Sequence, residues 1–463
     1  MSTSPARAAA FDVLLRIEQQ DAYASELLHS NRYAKLFSTD HGLATELVMG
    51  VLRWRSVLDA GISRYSNKGV EKLDIEVLTA LRLAAYQLLF LDRIPGRAAV
   101  HESVELVKRA RKGSAAAFAN AVLRKLAGNA SAAEAATEGE INNTALKRST
   151  QNLKAEIPEP ASAAELSQKF AHPPWLVERW VGEFGLETAR KICEYDQHAP
   201  ETTVHVSDFT TEADLTRSGL DLVPGRLLAS ARRVRTGPVA GMSGLADGRI
   251  VIQDEASQLV ALLVGRGSRI LDCCAAPGGK TRILAERNPE ATIAAVELHP
   301  HRARLLRKLV PAGNVDVIQA DMSKFTASTN FDRVLVDAPC SGTGTLARNP
   351  EIKWRLRPAD LTDLQGRQLQ ILRAAMRHLA PGGRLVYSTC SLEREENEAV
   401  VEKALTAEPS FRTHDCQMDL EKLRAEGELV WENLESLTRG PLLSILPGVH
   451  PCDGFFAAIL QKN

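Results

Sequence analysis

Two cysteines stand where the chain leaves an apolar run: Cys340 in Asp337-Ala338-Pro339-Cys340-Ser341-Gly342 and Cys390 in Ser388-Thr389-Cys390-Ser391. A thiolate can add to carbon 6 of a pyrimidine and turn the ring into an enamine, whose carbon 5 then attacks an electrophilic methyl group. A base must afterwards take the proton on carbon 5 so that the thiol can leave. Two thiols and a carboxylate would supply these roles, with Asp337 suited to hold the N3/N4 edge of a cytosine. A single cysteine after a strand is ordinarily an inert small hydrophobe. Two of them, in Pro-Cys-Ser and Thr-Cys-Ser settings at the ends of strands, read as reactive. Spacing leaves open which one attacks. Glu393, Glu395 and Glu396 would oppose a thiolate at Cys390, whereas a helix N-terminus there would favour it. Cys193, Cys416 and Cys452 lack such surroundings and read as structural, and Cys273 reads as packing.

Upstream lies a glycine-rich turn, Asp272-Cys273-Cys274-Ala275-Ala276-Pro277-Gly278-Gly279-Lys280. Pro277 starts a tight turn, and Gly278 and Gly279 are expected to let a ligand approach the backbone. Gly279-Lys280-Thr281 matches the end of a P-loop, but Cys274 stands where its first glycine must be, and a G-x-G-x-x-G fingerprint is missing. Glu297 ends the next strand 18 residues after Gly279, where an acid accepts hydrogen bonds from ribose hydroxyls. Asp321 ends the third strand, within reach of an adenine edge. Either acid alone reads as a helix cap or loop residue. In order, behind such a turn, they suit S-adenosylmethionine, with Cys274 touching it through the backbone.

These motifs need strands to carry them. From Ile250 onward, apolar strands (269–273, 292–297, 315–320, 333–337 and 384–389) alternate with helices near 279–287, 300–310, 360–379 and 395–406. That pattern predicts an α/β fold, a doubly wound parallel sheet whose ligands bind at the carboxyl ends of its strands. Residues 1–127 show helical periodicity instead, as in Leu43, Leu47, Val51, Leu58 and Ile62, and predict an all-α bundle. Residues 128–164 hold few large aliphatic side chains (Ile141, Leu146, Leu153, Ile157) and read as a flexible linker. Residues 165–249 read as a small α+β domain, with Trp175, Leu176 and Trp180 on a helix and Thr203 to Ser207 as a strand. Residues 250–463 form the last domain.

Composition narrows the partners. Lys plus Arg and Asp plus Glu are 57 each, so a nucleic-acid surface must be local. Residues 1–126 carry 18 basic and 13 acidic side chains, and Arg53, Lys108, Arg109 and Arg111 are expected to meet phosphates. The seven cysteines form no C-x-x-C pair and no zinc spacing, so no metal is expected and a reducing cytoplasm fits. Neither a secretory signal nor a membrane span is legible. A monomer is expected.

With Leu271 to Thr281, Val336 to Gly344, Pro381 to Ser391, Glu396-Asn397-Glu398 and Asp453-Gly454-Phe455-Phe456 in view, the chain resembles the RNA 5-methylcytosine methyltransferases. Glu46 to Trp54 is similar to the helical domain of the NusB antitermination factor. The resemblance implies a Rossmann-like class I S-adenosylmethionine methyltransferase domain behind a NusB-like bundle, with a single cytosine of small-subunit ribosomal RNA as target. It also implies Cys390 as nucleophile and Cys340 in product release. For the cofactor it implies Cys274, Ala275, Ala276, Pro277, Gly278, Gly279, Lys280, Glu297, Asp321 and Asp337. Two other readings compete. Methylation of an exocyclic nitrogen wants an Asp/Asn-Pro-Pro-aromatic loop, which Asp337-Ala338-Pro339-Cys340 is not. An idle RNA-binding assembly factor would not need its cysteines, Lys280 and pocket acids intact.

Overall fold

The computed structural model describes residues 3–20, 22–30, 32–132, 159–206, 209–217, 219–237 and 250–463. Most of the expected linker and the end of the expected small domain lie outside the described residues. The chain divides into two compact units. One is Met1–His198 with Leu346–Arg355, and the other is Ala199–Thr345 with Leu356–Asn463.

The first unit is helical: α1 (Pro5–Gln20), α2 (Ala24–Leu28), α3 (Ser38–Tyr65), α4 (Ile75–Phe90), α5 (Gly96–Arg109), α6 (Ala116–Ala132), α7 (Ala163–Lys169), α8 (Pro174–Phe184) and α9 (Leu186–Asp196). Apolar residues three and four apart put Leu47, Val51, Leu58 and Ile62 of α3 on one buried face. Helix α4 is apolar nearly all round (Leu78, Leu81, Leu83, Ala84, Ala85, Leu88) and is accordingly buried on every side. Trp180 of α8 is a core residue, whereas Trp175 is half-buried.

The second unit holds two sheets. The smaller is antiparallel, with order β2-β3-β1-β4, built from β1 (Thr202–His205), β2 (Asp221–Pro224), β3 (Ala231–Thr236) and β4 (Val251–Ile252). Among the described residues, α10 (Phe209–Arg217) lies between β1 and β2 in the chain. The sequence reading grouped 165–249 as one α+β domain. The structure assigns its helices α7–α9 to the helical unit and the strands β1–β3 to this one.

After α11 (Glu255–Val264) the large sheet begins with β5 (Arg269–Asp272), α12 (Gly279–Arg287), β6 (Thr292–Glu297), α13 (Pro300–Leu309), β7 (Val315–Gln319) and β8 (Phe331–Asp337). The chain then passes through α14 (Ile352–Arg355), α15 (Pro358–Arg377), β9 (Leu379–Thr389), α16 (Glu398–Ala407), β10 (Phe411–His414) and α17 (Cys416–Ala425). It ends with β11 (Thr438–Arg439), β12 (Leu442–Ile445) and β13 (Phe455–Lys462). Strands β7-β6-β5-β8-β9 are parallel in that order. The order reverses between β5 and β8, which opens a crevice above their carboxyl ends. The sheet is mixed, not purely parallel, because β13 pairs antiparallel with β9 and with β12 and β10. Among the described residues, no helix is long and apolar enough to cross a membrane.

Candidate active site

Asp272 ends β5 and Asp337 ends β8, so they flank the reversal point. Between them lies a cavity of about 310 Å³, lined by the turn Cys274 to Lys280, both aspartates, Gln253 and Ser257. Lys280, at the start of α12, donates to Asp337 Oδ2 at 2.7 Å, and Ser388 Oγ donates to Oδ1 at 3.0 Å. The Lys280 ammonium also sits 5.1 Å from the ring centre of Phe455, in the Asp-Gly-Phe-Phe ending. Asp272 Oδ2 accepts from Thr281 at 2.8 Å, while its Oδ1 and Gln253 Oε1 are buried without a partner. Burial pushes the Asp272 carboxyl up to about 7 against the pull of the Thr281 hydrogen bond.

Gly278 and Gly279 line the cavity, and neighbouring chain also crowds the turn. Gly278 has φ +114°, and a Cβ there would meet Val310 and Leu306 at 2.6 and 2.7 Å. One at Gly279 would meet Gln253 at 3.0 Å. A side chain at either position would also meet the end of α13 or the β4–α11 connection. Glu297 and Asp321 follow on neighbouring strand ends, as predicted, but neither lines the cavity. Glu297 Oε1 accepts the His299 N–H at 2.8 Å. Asp321 accepts the N–H and hydroxyl of Ser323, and the hydroxyl bond holds its carboxyl below the ordinary range.

The two singled-out thiols, 50 residues apart in sequence, meet with Sγ atoms 3.4 Å apart. Parallel pairing of β8 with β9 sets Asp337 beside Ser388, and the Ala338 N–H donates to the Ser388 carbonyl at 2.8 Å, so the loops leave the sheet together. The hydrogen bond with Cys390, then burial, raises the Cys340 thiol well above its ordinary range. Cys273 and Cys274 are likewise raised, in both cases first by burial.

Sequence reasoning missed what holds these loops. In sequence, Glu396 reads only as a charge opposing thiolate at Cys390. It is also fully buried, and its carboxylate accepts the Ser341 N–H at 2.8 Å, the Ser341 and Ser391 hydroxyls, and Gln368 Nε2 at 2.8 Å. Asn397 donates to the Ser391 carbonyl at 2.8 Å, and Thr343 Oγ1 accepts the Leu392 N–H at 2.9 Å. A clamp of this kind fixes both cysteine loops through charge-assisted hydrogen bonds. The Gly344 N–H donates to the Cys390 carbonyl at 2.9 Å and the Gly454 N–H to the Gly344 carbonyl at 2.7 Å. A Cβ on Gly344 would lie 2.4 Å from the Gly454 oxygen, so three chain segments meet where only glycine fits.

Arg53 is corrected as a phosphate contact. It is 7% exposed, and its guanidinium donates to the Ala347 carbonyl at 2.9 Å. Lys108 pairs with Glu105, and Arg109 lies 3.8 Å from Asp12.

Residues 260–461 match the model of the 16S rRNA methyltransferase RsmB/F family, and residues 4–128 match that of the NusB family. The chain is 33% identical over 100% of both lengths to a protein of Bacillus subtilis (strain 168) named "Probable ribosomal RNA small subunit methyltransferase B". It is 32% identical to the "Ribosomal RNA small subunit methyltransferase B" of Klebsiella pneumoniae, over 93% of this chain and 92% of that one. Among solved structures, that of PH0851 superposes with a TM-score of 0.76, at 22% identity and 99% coverage of each chain.

Proposed function

This chain belongs to the RsmB/F family of 16S rRNA methyltransferases and carries a NusB-family region, and we propose that it methylates carbon 5 of one cytosine in small-subunit ribosomal RNA through a transient Cys390–carbon 6 bond. The observation that carries this reading is the approach of Cys340 and Cys390 to 3.4 Å, in loops locked by Glu396 next to Asp337. An enzyme acting on an exocyclic amine needs no sulfur nucleophile. The target base leaves its stack to reach the pocket, at a cost of a few kcal/mol that is least in a loop or single strand.

Cys390 adds as thiolate to carbon 6, and Asp337 holds the N3/N4 edge as N3 gains a proton. The Lys280 and Ser388 hydrogen bonds fix the Asp337 carboxylate in place, and each oxygen keeps a lone pair for the base. S-adenosylmethionine, when bound, supplies the electrophilic methyl group. The residues suit such a guest, because the Asp272 and Gln253 oxygens that lack partners can accept from its donor groups. Glu297 and Asp321 would serve its ribose and adenine from the neighbouring strand ends. Once carbon 5 carries the methyl group, a base takes its proton, the C–H electron pair re-forms the carbon 5–carbon 6 double bond and Cys390 leaves as thiolate, with Cys340 assisting release. The protein acts as a monomer, in the compartment that holds its ribosomal RNA substrate, the cytoplasm.

The test is to incubate the protein with methyl-labelled S-adenosylmethionine and 16S rRNA, digest the RNA and separate its nucleosides. Label in 5-methylcytidine is expected. Label in N4-methylcytidine or in an adenosine would contradict the reading.

A further inference from the structure

Helix α13 (Pro300–Leu309) reads Pro-His-Arg-Ala-Arg-Leu-Leu-Arg-Lys-Leu and holds four cations and no acid. Ala303 and Leu306 are its buried residues, and Leu306 packs with Ala275, Ala295 and Val310. On the outer face, His301, Arg304, Leu305 and Lys308 recur three and four apart and form one exposed stripe. Leu305 is 44% exposed there, an apolar side chain framed by charge. The same helix walls the cavity. Arg302 donates to the Ala276 carbonyl at 3.1 Å, in the turn that lines it, and Leu309 lines the space itself.

Other arginines of this unit are matched by carboxylates: Arg282 by Glu286, Arg287 by Glu428 and Arg384 by Asp419. Among the described residues, no carboxylate pairs with Arg304, Arg307 or Lys308, and Arg307 donates to the Val317 carbonyl at 2.8 Å. Cations in a last turn suit the helix dipole, which accounts for Arg307 and Lys308. It does not account for the others. Arg302 stands in the first turn, which holds no acid, and opposes that dipole. Arg304 lies in mid-helix, gains nothing from either end, and repels Lys308 four residues on. The free protein therefore carries an electrostatic cost on this face that negative charge from a partner would remove.

We propose that the outer face of α13 holds the phosphate backbone of the 16S rRNA substrate, with Arg304 and Lys308 as phosphate contacts and Leu305 against a sugar or base face. RNA is the polyanion on which this chain's family acts. In the helical unit, Lys108 and Arg109, expected to meet phosphates, already face Glu105 and Asp12, whereas Arg304 and Lys308 have no carboxylate to give up. A phosphate contact carries no sequence information, so α13 fixes how RNA lies on the catalytic unit and not which base is chosen. This rests on the reading of ribosomal RNA as substrate, not on the roles of the two thiols.

The test measures equilibrium binding of 16S rRNA to the full chain over a range of salt concentrations, with methyl transfer and melting temperature read alongside. Arg304→Gln/Lys308→Gln is compared with Lys403→Gln/Lys422→Gln, which removes the same charge from exposed positions of α16 and α17. The α13 variant is expected to bind roughly 10-fold or more weakly at about 0.1 M salt, and its plot of log affinity against log salt to lose about 1.4–1.8 of slope, the share of two phosphates. KM for RNA should rise by the same factor with kcat unchanged, and the melting temperature should hold or rise as the repulsion between the two cations goes. Equal affinity and slope in the wild type and the α13 variant, or an equal loss in both variants, overturns the inference and spares the reaction. A wild type that binds no 16S rRNA removes the reading of the substrate and this inference together. Binding needs no methyl transfer, so a failed search for 5-methylcytidine leaves the result readable. Should the double variant fail to fold, Arg304→Gln alone is read the same way, with about half the loss of slope.

Discussion

At the scale of single residues, the site is governed by where carboxylates find partners. Asp337 is held by Lys280 and Ser388, Glu396 by two serines and a glutamine, and Asp272 has one oxygen with none. The last has a thermodynamic consequence. Burial raises the Asp272 carboxyl from 3.8 to about 7, so between these values the folded chain binds a proton that the unfolded chain releases. Its contribution is therefore fully present below about pH 4 and is lost as pH rises through about 7. Urea midpoints of the wild type and of Asp272→Asn, compared at pH 5 and pH 8, should show the wild type losing ground to the variant at the higher pH. A difference that stays constant would contradict the assignment. The cysteines, Asp337 and the turn were legible because each sits at a strand end that apolar patterning marks. The work of Glu396 was not. Its neighbours in sequence make it look like one of three surface acids, and nothing local shows that its carboxylate meets Ser341, 55 residues earlier. Arg53 misled for the same reason, since a basic side chain on a helix shows its charge but not its face.

Elements bring these residues together, and parallel pairing is the device. With β8 beside β9, Asp337 stands opposite Ser388 and the two following loops run side by side. The alternation of strands and helices made this part of the sheet readable, with boundaries shifted by a few residues; β9 starts at Leu379 instead of 384. The antiparallel strands β10 to β13 went unread. The apolar run of β13, Phe455 to Leu460, is buried in the middle of the sheet and lacks the alternation that marks a half-exposed strand. Its Gly454 end supplies the third segment at the cysteine loops. Gly344→Ala should therefore cost about 1–3 kcal/mol by overpacking, because the new Cβ meets backbone atoms at 2.4 to 2.9 Å that cannot step aside. Denaturant titration measures the loss, and methyl transfer should fall with it. A variant as stable and active as the wild type would show that the three segments do not need that approach.

Across the whole molecule, sequence order and compact units diverge. Composition and periodicity separate a helical part from an α/β part, and both family matches agree with that division. They do not reveal that Leu346–Arg355 leaves the α/β part to be buried among helices. A ten-residue stretch is too short for periodicity to assign it to either core, and its hydrogen bonds to Leu52 and Arg53 cross about 300 positions of sequence. In the proposed reaction the two sulfur atoms are the centre of the chemistry, and one comparison tests them directly. Full-length Cys340→Ala and Cys390→Ala are each mixed with S-adenosylmethionine and 16S rRNA and run on a denaturing gel. Cys340→Ala should form methylated RNA that stays covalently attached to protein, and Cys390→Ala should give neither adduct nor methylated product. Normal product from Cys390→Ala, or adduct in that variant and none in Cys340→Ala, would contradict the roles assigned to the two thiols.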